Sequence, residues 1–211
     1  MLKPYYKHPA TEAGVDEAGR GCLAGPVTAA AVILPPDFDL PGLDDSKKLS
    51  AARRDALREE IEKQALAWAV AMVSNKEIDE MNIFRASYAA MHKAIRKLAR
   101  TPSLLLIDGK YFIPYKKIPW QCIIGGDGKY AAIAAASILA KTHRDAYMIR
   151  QHEKFPAYGW DRNKGYPTKG HRKAIREYGL TPLHRRSFRL LNEQTEIDFP
   201  ASDIEHGEED K

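Results

Sequence analysis

Cysteine is scarce in this chain: Cys22 and Cys122 are the only two among 211 residues. Two thiols cannot build a disulfide framework, and neither sits in a C-x-x-C spacing that would hold zinc or run dithiol chemistry. Both read as reduced thiols. Long apolar runs are missing as well. No stretch approaches the roughly eighteen apolar residues that a membrane-spanning helix needs, and the opening Met1-Leu-Lys-Pro-Tyr-Tyr-Lys-His8 has no signal-peptide core. The expectation is a cytoplasmic protein with no membrane partner. There is no internal repeat, no long linker, and no compact motif for gripping a small phosphate ester. What remains is an ordinary globular balance, 44% apolar and 29% charged, in a length that suits one domain. The net charge of +5 hides an asymmetry, because residues 202–211 hold five acids and one lysine. The body is therefore more basic than the whole, which favours a polyanionic partner and monomeric solubility. Residues 201–211 read as a disordered acidic tail.

Apolar periodicity predicts alternating strands and helices, an α/β layer architecture. Strands are expected at 14–17, over Val27-Thr-Ala-Ala-Ala-Val-Ile-Leu34 between proline breakers, at 67–74, at 103–107 and at 121–124. Ser50 is placed as the cap of a helix to Gln64. Ile78, Met81, Phe84, Tyr88, Met91, Ile95 and Leu98 recur every three or four residues and predict one amphipathic helix. An alanine-rich helix is expected from Tyr130 to about Arg150, its small side chains allowing close approach to the sheet. A basic loop over 163–171 and a turn or two of helix to Tyr178 follow.

Chemistry concentrates where acids meet glycines. Asp16 and Glu17 are adjacent and run into Ala18-Gly19-Arg20-Gly21. Neighbouring carboxylates repel, and a hard divalent cation removes that cost. The glycines strip a loop so that backbone N–H groups approach a ligand, and Arg20 adds a fork matched to phosphate or ribose oxygens. Asp108 ends an apolar strand before Gly109, where α/β sheets place ligands. Asp127 stands between Gly126 and Gly128, and capping of the next helix is its alternative reading. In a regular strand Asp16 and Glu17 face opposite ways. Either the strand ends by Glu17, or one acid acts indirectly.

Five strings, 14–27, Asp45-Ser-Lys-Lys-Leu49, Leu106-Ile-Asp-Gly109, 133–141 and Lys164-Gly-Tyr-Pro-Thr168, resemble in order the type 2 ribonucleases H, in the bacterial ribonuclease HII group. The resemblance implies a ribonuclease H-like fold: a mixed five-stranded sheet flanked by helices, with additional C-terminal helices, over residues 10–200. It implies an endonuclease that hydrolyses the RNA strand of RNA–DNA hybrids and cuts 5′ of single ribonucleotides in duplex DNA, with Mg²⁺ or Mn²⁺. The implied catalytic and metal-binding acids are Asp16, Glu17, Asp108 and Asp127. Gly19, Arg20 and Gly21 are implied to sense the ribose 2′-OH, and Tyr166 to pack on the sugar at the DNA side of the junction. Many relatives have Lys-Gly-Asp where this chain has Gly125-Gly126-Asp127, and Lys129 is expected to supply that charge.

Lys47 and Lys141, inside the matching strings, are the foremost candidates for substrate phosphates, followed by Lys48, Arg144, Lys164 and Lys169. His143, His171 and His184 read as packing groups. Two rival readings stay open: a binding module without turnover, and a type 3 ribonuclease H restricted to long hybrids.

Overall fold

The computed structural model describes residues 2–7 and 11–191. The acidic tail placed at 201–211 lies outside the described residues. In chain order the elements are β1 (Glu12–Ala18), β2 (Val27–Ile33), α1 (Ala51–Gln64), β3 (Ala67–Val73), α2 (Asn75–Met81), α3 (Ile83–Lys97), β4 (Leu104–Asp108) and β5 (Trp120–Ile123). A 3₁₀ turn at Gly126–Gly128 leads into α4 (Ala131–Lys154). A second 3₁₀ turn at Pro156–Tyr158, then α5 (Trp160–Asn163) and α6 (Lys169–Tyr178), complete the elements among the described residues. No helix among the described residues is long and apolar enough to cross a membrane.

The five strands form one mixed sheet in the order β3-β2-β1-β4-β5. β1 pairs antiparallel with β2 and parallel with β4, and β4 is parallel to β5. Helices cover both faces. Ala13, Val15, Leu105 and Ile107 point to the layer of α3, among Tyr88, Met91 and Ile95. Ala30 and Val32 point to the opposite layer, formed by α4 and α1. Alanine sets the spacing there: α4 lies so near β1 that a Cβ on Gly14 would collide with the backbone of Ala132. A third cluster, around Trp160, Met148 and Ile175, binds the C-terminal helices to the loop after β1.

The elements follow the sequence pattern with two corrections. α6 begins at Lys169, inside the loop expected over 163–171, because Thr168 caps it by accepting the His171 N–H. The single helix expected through Ile78–Leu98 is two helices. Ser74 and Glu77 form a reciprocal capping box at the start of α2. Asn82 then turns to φ 68° and caps α3, accepting the Arg85 N–H. Asparagine is a favoured cap, so the apolar stripe continues across a break that periodicity does not register.

Candidate active site

β1 and β4 run parallel with Val15 opposite Ile107, so their C-terminal ends bring Asp16 and Asp108 side by side. The turn between β5 and α4 delivers Asp127 to the same place. Carboxylate oxygens of these three residues lie within 4.8 Å of one another. Asp16 and Asp127 are almost fully buried. Asp16 accepts the Glu17 N–H at 2.7 Å, and Asp108 accepts the Gly126 N–H at 2.7 Å. Lys47 Nζ sits 2.9 Å from Asp127. Burial pushes the Asp16 carboxyl well above the usual range, and the charges of Glu17 and Asp108 push it further. Burial likewise raises Asp108, against the pull of the Gly126 N–H. Three hard oxygen donors that repel one another at a largely buried site form a donor set suited to a divalent cation. Asp127 does not cap α4, whose N-cap position is Tyr130.

Glu17 lies outside that group of three. β1 does not end before it: Glu17 pairs with Ala29 and Ala18 with Thr28. The alternation along β1 therefore turns Glu17 to the α3 face, with Ala13 and Val15, while Asp16 faces α4. Its carboxylate meets Arg20 at 3.1 Å. Burial raises the Glu17 carboxyl and the Arg20 guanidinium opposes that rise.

The Gly-Arg-Gly loop is held from beneath by a fully buried arginine. Arg185 donates to the carbonyls of Gly19 at 2.7 Å, Arg20 at 2.8 Å and Gly25 at 3.0 Å. No peptide among the described residues is cis, so each N–H here points opposite its carbonyl across a planar unit. Tying two carbonyls inward turns the N–H groups of Arg20 and Gly21 outward. Gly19 adopts φ 92°, and a Cβ there would strike the Arg144 side chain. A Cβ on Gly21 would meet nothing within 4 Å; protein packing does not demand glycine at that position. Asp16, Glu17, Asp108, this loop, Ser46, Lys47, Arg54, Ser137, Lys141 and Tyr166 line one cavity of ≈ 310 Å³, and Asp127 lies buried behind Lys47.

Tyr166 stands at its far end with Lys141 Nζ 5.1 Å from the ring centroid, while Lys141 also pairs with Asp145 at 2.9 Å. A buried relay supports the Tyr166 backbone. Trp160 Nε1–H donates to His171 Nε2, which assigns the proton to Nδ1 and its hydrogen bond to the Tyr166 carbonyl at 2.9 Å. His184 lies 3.2 Å from His171 and is pushed down to about 4 by burial. His171 and His184 are packing groups, as their burial requires, and His143 bonds Glu62 in the α1–α4 layer.

The ribonuclease HII family model matches residues 13–191. A ribonuclease HII from Bacteroides thetaiotaomicron is 60% identical over 200 residues, covering 94% of this chain and all of that protein. The chain belongs to the ribonuclease HII family. Among solved structures, the ribonuclease H2 of Pyrococcus horikoshii superposes with TM-score 0.70 at 26% identity, covering 85% of this chain and 94% of that one. The ribonuclease HII of Archaeoglobus fulgidus, solved in complex with PCNA, matches with TM-score 0.70 at 30% identity, over 83% of this chain and 92% of that one. Membership makes this chain a ribonuclease H, a metal-dependent endonuclease acting on RNA–DNA hybrids.

For this ribonuclease HII, several cations expected at phosphates have other duties. Lys47, and not Lys129, is the cation at Asp127; Lys129 donates to the Ile124 carbonyl. Arg144 is fully buried and donates to the carbonyls of Pro26, Ala24 and Lys164, which welds the loop after β1 to the segment carrying Tyr166. Lys48 pairs with Asp44, and Lys164 folds onto the Asp161 carbonyl. Lys169 is exposed at the start of α6. Nothing in the sequence around His184-Arg185-Arg186 marks Arg185 as the buried basic residue.

Proposed function

We propose that this enzyme cuts the RNA strand of RNA–DNA hybrids and also the bond 5′ of a single ribonucleotide in duplex DNA, leaving a 5′-phosphate and a 3′-OH. The observation that carries the reading is the convergence of Asp16, Asp108 and Asp127 within 4.8 Å, with Asp16 and Asp108 lining one cavity together with the Gly-Arg-Gly loop and its outward-turned N–H groups. Residues 10–200 are assigned to the catalytic domain and 201–211 to an accessory acidic tail.

The three aspartates would hold Mn²⁺ or Mg²⁺, with Glu17 completing the set from the opposite face of β1. A pair of such ions, when bound, supplies an activated water and stabilises charge on the leaving oxygen. Water oxygen bonds to phosphorus, the bond to the upstream 3′-oxygen breaks, and that oxygen takes up a proton. The chain's own groups choose where this happens. The N–H groups of Arg20 and Gly21 offer donors to the ribose 2′-OH, which is the group that separates RNA from DNA. Gly21 leaves open the space its side chain would fill, and Gly19 permits the turn. The Tyr166 ring packs on the next sugar downstream, where a second hydroxyl would crowd it. Lys141 lies beside that ring for the adjoining phosphate. Lys47 holds Asp127 in place until substrate phosphate shares its charge. A cytoplasmic monomer acting in the removal of ribonucleotides from DNA fits these assignments.

The test is cleavage of an end-labelled DNA duplex containing one ribonucleotide, in Mn²⁺ and in Mg²⁺, beside an Asp108→Asn control. The expected product is one cut immediately 5′ of the ribonucleotide, slowed on the order of 10³-fold by the substitution, since several kcal/mol of charge stabilisation depends on the metal. Cleavage of a long hybrid without this cut would assign a hybrid-restricted enzyme. Binding without cleavage of either would leave a binding module.

A further inference from the structure

The face of β1 that carries Glu17 has a cavity of its own. It measures ≈ 160 Å³ and is walled by Glu17, Arg20, Phe84, Tyr88, Asp108 and Tyr111. Glu17, Arg20 and Asp108 also wall the larger cavity. The two chambers therefore adjoin across the acids, one under α4 and Tyr166, the other under α3. Two aromatic rings stand open at the second. Phe84 belongs to the apolar stripe of α3 yet is 47% exposed, and Tyr111, in the loop after β4, is 60% exposed. Phe84 is braced edge-on against Tyr88 with centroids 4.8 Å apart. Lys110 places its ammonium 5.2 Å from the Tyr111 ring centroid.

Size and charge narrow the occupant. Small-molecule pockets run to about 300–1,000 Å³, so this chamber suits one ring and not a whole cofactor. Open aromatic faces with a cation at the rim are what a nucleic-acid strand uses for stacking and phosphate contact. Tyr166 and Lys141 wall only the first cavity and Phe84 and Tyr111 only the second, with Glu17, Arg20 and Asp108 shared between them, so a strand running from Tyr166 across the acids would next meet this chamber.

We propose that this chamber is a second nucleotide subsite, which stacks the base or sugar of the nucleotide immediately 5′ of the scissile phosphate against Phe84 and Tyr111, with Lys110 toward its phosphate. The assignment rests on the proposed cut 5′ of a ribonucleotide. It gives the two sides of the cut different recognition: a shape test on the downstream sugar at Tyr166, and a sequence-tolerant grip upstream.

The full chain is tested with a duplex containing one ribonucleotide, intact or with an abasic residue at single positions on either side. Equilibrium binding in Ca²⁺ and cleavage in Mn²⁺ are read in parallel. Phe84→Ala and Tyr111→Ala change exposed side chains and leave the core intact. Each is expected to weaken binding of the intact duplex roughly tenfold, within the range for loss of one aromatic–base stack. An abasic residue directly 5′ of the ribonucleotide is expected to weaken wild-type binding by a similar factor and the variants hardly further. Wild-type behaviour of both variants would overturn the subsite. So would abasic losses that add in full, or coupling that maps to the downstream side. Coupling in binding with no cleavage by the wild type would instead retain the subsite and refute the proposed cut.

Discussion

The two sides of β1 end in different kinds of site. Toward α4, buried Asp16 and Asp127 and half-buried Asp108 crowd together, each carboxylate tied to a neighbouring N–H, hydroxyl or ammonium. Toward α3, Glu17 faces Arg20 and a small chamber of aromatic rings open to solvent. One step along a strand reverses the direction of a side chain, so adjacent acids deliver carboxylates to a chamber of charged and hydroxyl groups and to a smaller one with aromatic walls. The helices sharpen the contrast. Alanines let α4 press against β1 and bring Ser137 and Lys141 over the acids, whereas α3 sets the larger rings of Phe84 and Tyr88 beside Glu17, in the smaller of the two chambers. Chemistry is assigned to the tight side, where α4 lies close and Glu17 contributes from the opposite face, and upstream grip to the α3 side.

The largest break in this contrast is expected from beneath the tight side. Arg185→Lys keeps the positive charge but loses the fork that holds three carbonyls, and hydrogen bonds to charged groups contribute about 1.5–3 kcal/mol each. The N–H groups of Arg20 and Gly21 then lose their fixed direction. Preference for a ribonucleotide over a deoxyribonucleotide at the cut should fall on the order of tenfold or more. Cleavage of a long hybrid, where every sugar offers a 2′-OH, should fall less. Single-turnover rates on the two substrates measure the split. Equal losses on both would make Arg185 a purely structural residue.

A smaller effect sharpens the electrostatic half of the comparison. Burial and repulsion raise the Asp16 carboxyl, so the folded metal-free chain binds that proton more tightly than the unfolded chain. The resulting penalty is absent below the ordinary aspartate value of about 4, grows as pH rises toward the raised value, and is complete above it. Asp16→Asn should therefore raise the melting temperature in EDTA at neutral pH by about 2–4 °C for each kcal/mol relieved, with the gain vanishing near pH ~4. A melting curve at several pH values checks this, and a gain independent of pH would contradict it.

Much of the fold was legible because its signals are local. Ser50 caps α1 by accepting the Arg53 N–H, the period-two burial of Ala67–Val73 matches a strand with one face inward, and the alanine run of α4 announces close packing. The acids were legible as candidates because each stands beside a glycine or at a strand end. What escaped the sequence depends on partners far along the chain or on a single dihedral. Arg185 meets Gly19 across 166 positions, and Lys47 meets Asp127 across 80; no spacing rule connects them. The break at Asn82 is one residue wide inside an unbroken apolar period. The direction of Glu17 turned on whether β1 ran one residue further, and pairing with β2 decides that.

The most direct test of the division between Asp16 and Glu17 is a Mn²⁺ titration of the wild type, Asp16→Asn and Glu17→Gln, read by loss of the free Mn²⁺ paramagnetic resonance signal. Saturable binding by the wild type, abolished or strongly weakened by Asp16→Asn and largely retained in Glu17→Gln, is the expected result. Binding that survives Asp16→Asn unchanged, or that fails equally in both variants, would contradict it.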